Sequence, residues 1–262
     1  MDATYTLRAT NTAVLSDNKM HDDTVARTFG FAGGLVPGVD VYAYLAHLPA
    51  AMWGMEWLER GTLTARFQRP VYDGDDVEIT AQRDGATITL SLSTGSAEPC
   101  ASGTATLPET AATTAVDIPA RPLPDDRPPA SPESLAAGTV LGAIQFGFHA
   151  EHAGGYLHDI GESLDFYRAE GVAHPGWLMR TANHVLAENV RLGPWIHVSS
   201  AVAHHGVARD GDRLSTRARV TDAFERKGHR FVVLDVLIVG PDEGPILRAE
   251  HIAIYEPRPA SG

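Results

Sequence analysis

The sequence lacks several features that would place it in a specialised class of protein. It has one cysteine, Cys100, among 262 residues, which excludes a disulfide framework and fits a reducing compartment. Its net charge of −12 offers no basic surface for phosphates and predicts no nucleic-acid binding. No apolar run approaches the about 20 residues that span a bilayer, and residues 1–13 do not resemble a signal peptide. We therefore expect a cytoplasmic protein with no membrane partner.

The sequence does contain one pattern twice. The segment at residues 33–38 (GGLVPG) opens a long apolar stretch, and the segment at residues 171–176 (GVAHPG) opens another one 138 positions later. An Asp-Gly-Asp turn follows each of them, at residues 73–75 and 210–212, with an offset of 137. A period this long exceeds any solenoid repeat and indicates two fused copies of one domain-sized unit. We expect the functional site to lie where the copies meet.

A proline-rich stretch separates the two copies. Seven prolines lie between residues 108 and 134. Because proline fixes φ and lacks the amide donor, this stretch predicts an extended linker across the outside of the protein. The predicted organisation is a first unit at residues 1–107, the linker at residues 108–134 and a second unit at residues 135–262.

Each unit is predicted to contain one long helix followed by four antiparallel strands. Helical spacing of apolar residues places the long helices at residues 37–53 and 175–190. Alternation predicts the strands at residues 63–71, 77–83, 87–93 and 101–107, and at residues 196–203, 214–223, 230–239 and 246–255. Shorter elements are predicted at residues 5–9, 22–29, 140–148 and 161–167.

A lone long helix can bury its apolar stripe only against a sheet that wraps it. That arrangement is the α+β hot-dog fold, and the whole chain is predicted to be a double hot dog. We expect the two sheets to join edge to edge, because this pairing removes two exposed sheet edges.

The first unit resembles the MaoC-like (R)-specific enoyl-CoA hydratases and hydroxyacyl dehydratases. That family has an Asp-x-Asn-Pro-x-His segment, then a Gly-Phe pair, then an Ala-His-Gly element at the start of the long helix. The corresponding segments here are NKMHDD at 18–23, FGF at 29–31, LVPG at 35–38 and RFQRPVYDGD at 66–75. The resemblance covers most of the first unit, and it extends to the second unit through order and spacing.

The sequence departs from the family pattern at three positions. The family aspartate lies five residues before its histidine, and Ser16 occupies that position here. Lys19 replaces the proline of Asn-Pro, and Pro37 replaces the histidine of Ala-His-Gly.

The resemblance implies that an Asp and a His share one water molecule. His21 matches the family histidine and is the catalytic candidate, with a side chain that titrates near neutral pH. Asp17 is the nearest preceding carboxylate, four positions before it. Asp159, with His158 beside it, aligns roughly with His21 in the second copy and could complete a composite site across the two copies.

The resemblance also implies that an amide at the start of the long helix binds the thioester oxygen. Gly38 and Gly176 hold that position, where a helix N-terminus offers free N–H groups and a partial positive charge. His174 precedes the second long helix and could line a pocket, and the acyl chain would run along the first helix past Tyr42.

These residues predict a lyase that reversibly hydrates an acyl thioester carried on CoA or on an acyl-carrier protein. No cofactor is needed. No metal site is predicted either, because His204 and His205 are adjacent in a strand and point to opposite faces. The alternatives are a hot-dog thioesterase, for which Glu162 or Asp165 could be the base, and a catalytically silent acyl-binding partner subunit. A monomer could already form the pseudo-dimeric unit, and a homodimer is also possible.

Overall fold

A computed structural model describes residues 2–96 and 98–258, and its strands lie where apolar and polar residues alternate. In the strand at residues 87–93, for example, Ile88, Leu90 and Leu92 are buried and the residues between them are more exposed. The first half contains β1 (Asp2–Arg8), β2 (Thr62–Phe67), β3 (Asp76–Asp84), β4 (Thr87–Ser93) and β5 (Ala101–Thr106). The second half contains β6 (Ile144–Gly147), β7 (Ile196–His204), β8 (Arg213–Arg226), β9 (His229–Val239) and β10 (Pro245–Glu256).

All ten strands form one sheet in the order β1-β3-β4-β5-β2-β7-β10-β9-β8-β6. The two halves meet where β2 pairs antiparallel with β7, in a register that places Leu63 opposite Val202. This pairing confirms the predicted edge-to-edge joining of the two sheets and covers one edge of each half.

Six helices accompany this sheet, and the two long ones lie against it. The helices are α1 (Asp23–Thr28), α2 (Gly38–Trp53), α3 (Met55–Arg60), α4 (Ala150–Asp159), α5 (Phe166–Ala169) and α6 (Pro175–Asn189) among the described residues, with single 3₁₀ turns at Lys19–His21 and Pro241–Glu243. The predicted long helices correspond to α2 and α6, which share one core with both halves of the sheet. They pack closely because Gly176 has no Cβ, which would lie 2.5 Å from the Cβ of Ala43. The predicted α+β double hot-dog fold is confirmed.

The shorter elements differ more from the prediction. Helices α3 and α4 were not expected, and Gly154-Gly155 weakens the helical pattern within α4. The short helix expected at residues 161–167 lies at Phe166–Ala169 instead, and the strand expected at residues 140–148 is limited to Ile144–Gly147.

The repeat is visible in the backbone contacts. In each copy the residue before the Asp-Gly-Asp turn forms an isolated antiparallel β-bridge with the segment ahead of the long helix. Tyr72 pairs with Leu35 in the first copy, and Arg209 pairs with Val172 in the second. The amides of Tyr72 and Arg209 also donate to the second aspartate of their own turn, at 2.9 and 2.8 Å. The two turns are therefore structural equivalents.

The two copies differ in the segment ahead of the long helix. The Leu35 amide donates to the Met20 carbonyl, and the equivalent Val172 amide donates to the Tyr167 carbonyl. These bonds close a long loop at residues 20–35 but a short one at residues 167–172. They align the position of Met20 with Tyr167, which corrects the expected correspondence between His21 and Asp159.

Residues 115–118 of the proline-rich segment cross the face of the second half that is opposite α6, and Arg127 further along donates to the Ala187 carbonyl of α6. The carbonyls of Ala115, Asp117 and Ile118 accept hydrogen bonds from arginines of β10 and β8. Ile118 is fully buried against Leu237 and Val239 of β9. This contact explains why β9 is apolar on both faces.

None of the helices in the described ranges is long and apolar enough to cross a membrane.

Candidate active site

A cleft of about 720 Å³ lies between the two halves. Its first wall belongs to the first half and comprises the loop at residues 12–18, His21 and the start of α2. Its second wall belongs to the second half and comprises residues 190–195 and one face of α6. That face presents side chains at helical spacing, namely Arg180, Asn183, His184, Ala187 and Glu188.

His21 ends the 3₁₀ turn and faces this cleft. Its Nδ1 lies 2.7 Å from the Leu35 carbonyl and donates to it, which leaves the lone pair of the neutral ring on Nε2. The Nε2 atom accepts a hydrogen bond of 3.2 Å from the Asn18 side-chain amide. Burial lowers the pKa of His21 below its ordinary 6.5, against smaller upward effects of Leu35 and Asp40. The ring is therefore a neutral base at neutral pH.

Asn18 fixes the position of the histidine loop relative to the other half. Its Oδ1 accepts from the amides of Met20 (3.2 Å) and Trp195 (3.1 Å), and its Nδ2 donates to the Trp195 carbonyl at 3.0 Å. The same Nδ2 reaches His21. Asn18 was matched to the family motif by its position, but its bonds to Trp195 could not be read from the sequence.

The N-terminus of α2 forms the adjacent part of the wall. Pro37 and Val39 line the cleft. In the described part of the chain, the amides of Gly38 and Val39 donate to no other group. Gly38 has no space for a side chain, because a Cβ would lie 2.8 Å from Nδ1 of His197. The Gly38 amide thus lies at an unsatisfied helix end, between two residues that line the same cleft as His21.

A buried histidine pair supports Gly38 from below. His197 stacks on His251 with ring centroids 4.1 Å apart, and Ser200 Oγ lies between their ring nitrogens at 2.8 and 3.1 Å. Burial lowers the pKa of both histidines, to about 3 for His251. Both rings are therefore neutral and serve as packing beneath the helix end.

An ion pair between the halves lies next to the helix end. Asp40, in the first turn of α2, is fully buried and binds Arg180 of α6 through Nε (3.1 Å) and Nη2 (3.0 Å). Thr12 Oγ1 contacts both partners, and the guanidinium lies 4.3 Å from the ring centre of Tyr156. Sequence reasoning missed this pair. The helical spacing of polar residues along α6 was the one available signal for Arg180.

Neither predicted catalytic carboxylate is hydrogen-bonded to His21 in the described part of the chain. Asp17 lines the cleft but is exposed, and the hydrogen bonds of the His21 ring go to Leu35 and Asn18 instead. Asp159 is exposed at the end of α4, 3.4 Å from His158, and does not line the cleft. Ser16 lines the cleft at the position of the family aspartate.

Three predicted substrate-binding residues lie away from the cleft. The Gly176 amide donates to His174 Nδ1 at 3.0 Å, which corrects the predicted oxyanion role because this donor is already used. His174 itself is buried as the N-cap of α6. Tyr42 is fully buried, and desolvation raises the pKa of its hydroxyl. It is a core residue rather than a wall of an acyl channel.

A closed cluster with residues from both halves lies near the start of α6, as the cleft lies at the start of α2. Glu162 lies 2.8 Å from His47 of α2 and 3.3 Å from His174, and all three side chains are buried. Tyr5 stacks on His47 with ring centroids 3.5 Å apart and donates to the Gly161 carbonyl. We call Tyr5, His47, Glu162 and His174 the closed cluster. Burial alone would raise the pKa of Glu162, but both histidines outweigh it and hold the value far below 4.5.

No group of three His, Cys, Asp or Glu residues in the described ranges could hold a metal ion. No family model and no curated protein matches the sequence.

Solved structures share the fold over nearly the whole chain. One described as a MaoC domain dehydratase, from Chloroflexus aurantiacus, has a TM-score of 0.65 and 11% identity, over 98% of this chain and 95% of its own. A double hot-dog protein from Mycobacterium tuberculosis has a TM-score of 0.63 and 14% identity, over 96% and 95%. One described as a thioesterase II, from Thermobifida fusca, has a TM-score of 0.56 and 14% identity, over 96% and 91%. This likeness confirms the fold, which both kinds of protein share.

Proposed function

We propose that this chain catalyses the reversible addition of water to an α,β-unsaturated acyl thioester carried on CoA or on a carrier protein. One observation carries the proposal. His21, a neutral histidine, lines the cleft between the halves, and so do Pro37 and Val39, which flank Gly38 at the unsatisfied start of α2. A base beside a set of oxyanion donors is what this reaction requires.

His21 would perform the proton transfers. Its Nε2 takes a proton from water while the water oxygen bonds to the β-carbon, and the protonated ring then delivers that proton to the α-carbon. The net change is one water added across the double bond, and the reverse sequence removes it. Leu35 holds Nδ1 throughout, so the ring keeps the orientation that presents Nε2. Nε2 accepts from Asn18 in this structure and would accept from the attacking water during the reaction.

The thioester oxygen gains negative charge when water attacks. The amides of Gly38 and Val39 lie at the positive end of a 16-residue helix and can donate to that oxygen. Gly38 suits this role because the absence of a side chain lets a substrate approach the backbone.

A hot-dog thioesterase is the second candidate, and two observations favour it. Asp17 and Glu188 place carboxylates on the cleft walls, where one could activate water against the thioester carbonyl. The fold is shared with proteins described as thioesterases. A silent acyl-binding subunit is the third, because the hydrogen bonds of the His21 ring go to Leu35 and Asn18 and not to a carboxylate.

One assay separates these functions. The purified chain is incubated with crotonyl-CoA, longer enoyl-CoAs and fumaryl-CoA, and enoyl absorbance and free thiol are followed separately. Loss of enoyl absorbance without thiol release supports the hydratase. Thiol release supports the thioesterase, and binding without turnover supports the acyl-binding subunit. Absence of both binding and turnover with all the thioesters would refute the proposal.

A further inference from the structure

We infer that Arg180 binds a carboxylate on the acyl group, so that the substrate class is a thioester of a dicarboxylic acid. The inference rests on the proposed function for the thioester and its position, and it adds the charge of the acyl group. The observations that carry it are the unused donors of Arg180, the way the guanidinium is held, and the place of its partner Asp40 in the first turn of α2.

Three of the five N–H donors of Arg180 are used within the protein. Nε and Nη2 donate to Asp40, and Nη2 also donates to Thr12. The Nη1 atom, with two N–H donors, has no acceptor among the described residues. The side chain is 28% exposed while Asp40 is fully buried. Because Arg180 lines the cleft, we take these two donors to be available to a ligand there.

The guanidinium is held in one orientation before any ligand arrives. Asp40 fixes its plane through two bonds, and the Tyr156 ring covers one face at 4.3 Å. An arginine fixed in this way loses little side-chain entropy on binding, and its Nη1 can donate a charge-assisted hydrogen bond to a carboxylate. A purely structural ion pair would not require an arginine that lines a cleft with Nη1 unused.

The position of Arg180 favours an anion on the acyl group over one on the carrier. Its partner Asp40 lies two residues beyond Gly38, in the first turn of α2. Arg180 is therefore within about one helical turn of the amides that would bind the thioester oxygen. The phosphates of CoA or of a carrier protein lie at the far end of the pantetheine arm. The positive end of α2 adds to the attraction for an anion at this point.

Binding measurements on the unmodified protein test the inference without requiring turnover. Succinyl-CoA and butyryl-CoA have acyl chains of equal length and differ in the terminal carboxylate, and CoA alone reports the carrier. We expect succinyl-CoA to bind about 10- to 100-fold more tightly than butyryl-CoA, which corresponds to charge-assisted hydrogen bonds. Equal binding, or tighter binding of butyryl-CoA, would overturn the inference.

Two variants show whether Arg180 is the source of the preference. Arg180→Lys keeps the charge but removes the planar guanidinium. We therefore expect the preference for succinyl-CoA over butyryl-CoA to fall, while the affinity for butyryl-CoA stays unchanged. The pair D40N/R180Q removes both charges together, which avoids leaving a buried aspartate unpaired. We expect it to fold and to bind both thioesters equally. If either variant weakens the binding of CoA alone as much as the binding of the thioesters, Arg180 binds a carrier phosphate and the inference fails.

A second arm separates this inference from the proposed function. Butyrate and butyramide have the same shape and differ in charge, and neither contains a thioester. At matched ionic strength, butyrate should raise the thermal unfolding midpoint of the native chain but not of D40N/R180Q, and butyramide should raise neither. If CoA thioesters fail to bind but this pattern holds, the anion site stands and the proposed function falls. If butyrate gives no protection either, the inference falls as well.

Discussion

The cleft around His21 and the closed cluster around Glu162 occupy related places in the two copies, and they differ in what surrounds the histidine. In the cleft, His21 is bonded to neutral groups and faces open space. In the closed cluster, His47 and His174 share one buried carboxylate. The same architecture has thus produced a site that a ligand can enter and a site that protein side chains fill.

Loop length accounts for much of this difference. The long segment at residues 20–35 contains α1 and lets His21 lie at the edge of a space. The short segment at residues 167–172 brings Tyr167 directly against His174, with ring centroids 4.7 Å apart. Under the proposed function, catalysis belongs to the cleft, and the closed cluster ties the halves together. Each prediction below tests one side of that division.

The largest effect is expected from His21→Ala. Loss of the base should lower turnover of the enoyl thioester by about 10²- to 10⁴-fold, the usual contribution of a general acid–base residue. The unfolding free energy should change little. Turnover is measured by loss of enoyl absorbance and folding by circular dichroism.

His158→Ala is the matched control for that measurement. The His158 side chain is 86% exposed and stands beside Asp159, the residue once expected to complete a composite site. We expect it to retain native turnover. Full activity in His21→Ala would contradict the proposed mechanism. A large loss of turnover in His158→Ala would instead support a composite site near Asp159.

The second prediction concerns the closed cluster. Glu162→Ala leaves two buried histidines without their shared partner and should lower the unfolding free energy by about 3–5 kcal/mol, the usual cost of breaking a buried pair. Turnover at a temperature where the variant is folded should stay near native. Denaturant titration gives the free energy. Asp165→Ala, at an exposed carboxylate nearby, should change it by less than about 0.5 kcal/mol.

A combined loss of turnover and unchanged stability in Glu162→Ala would contradict this division of roles. It would move the catalytic assignment to Glu162, which the sequence also offered as a thioesterase base.

The third prediction separates the two regions by pH. As a base, His21 must be unprotonated, and burial lowers its pKa below 6.5. Activity should therefore hold down to pH 6.5 and fall only below it. The pKa of Glu162 is depressed below 4.5, so its contribution to stability is complete above pH 4.5 and is lost as pH falls further, by at most about 1.4 kcal/mol per pH unit.

The measurements are kcat/KM against pH and the difference in unfolding free energy between the native chain and Glu162→Ala. A difference that already shrinks between pH 7 and 5 would contradict a Glu162 pKa below 4.5.

The fold could be predicted from the sequence because its signals are local. Alternation within residues 87–93, the helix opening at Pro37 and the doubled Asp-Gly-Asp turn each depend on neighbours along the chain. The pairs that define the two regions do not. Asp40 and Arg180 are 140 positions apart, and His47 and Glu162 are 115 apart. Packing of α2 against α6 brings them together, and no local pattern records that packing.

The Gly176 assignment has a local explanation instead. Gly176 and Gly38 both follow a proline at the start of a long helix, yet the Gly176 amide is used by His174. His174 has no counterpart in the first copy, where Val36 precedes Pro37 and carries no acceptor. One substitution before the helix therefore decides which helix end keeps a free amide.

The smallest effect is expected from Ser16→Asp, which restores the carboxylate five residues before His21. Ser16 is half-buried, lines the cleft and donates to the Asn18 carbonyl at 3.3 Å. A carboxylate at this position would therefore lie close to the His21 ring. If His21 works alone, the added carboxylate should raise turnover, by up to about 10²-fold. It should also raise the pKa of His21, because a nearby negative charge favours the protonated ring. The acid limb of the pH profile should therefore move to higher pH together with the gain in rate.

Ser16→Asn is the matched control, because asparagine has nearly the same size as aspartate without the charge. It should neither raise turnover nor shift the acid limb. A gain shared by both variants would mean that size rather than charge matters at this position. A shifted limb with no gain in rate would show that the carboxylate reaches His21 but that the native reaction does not need it.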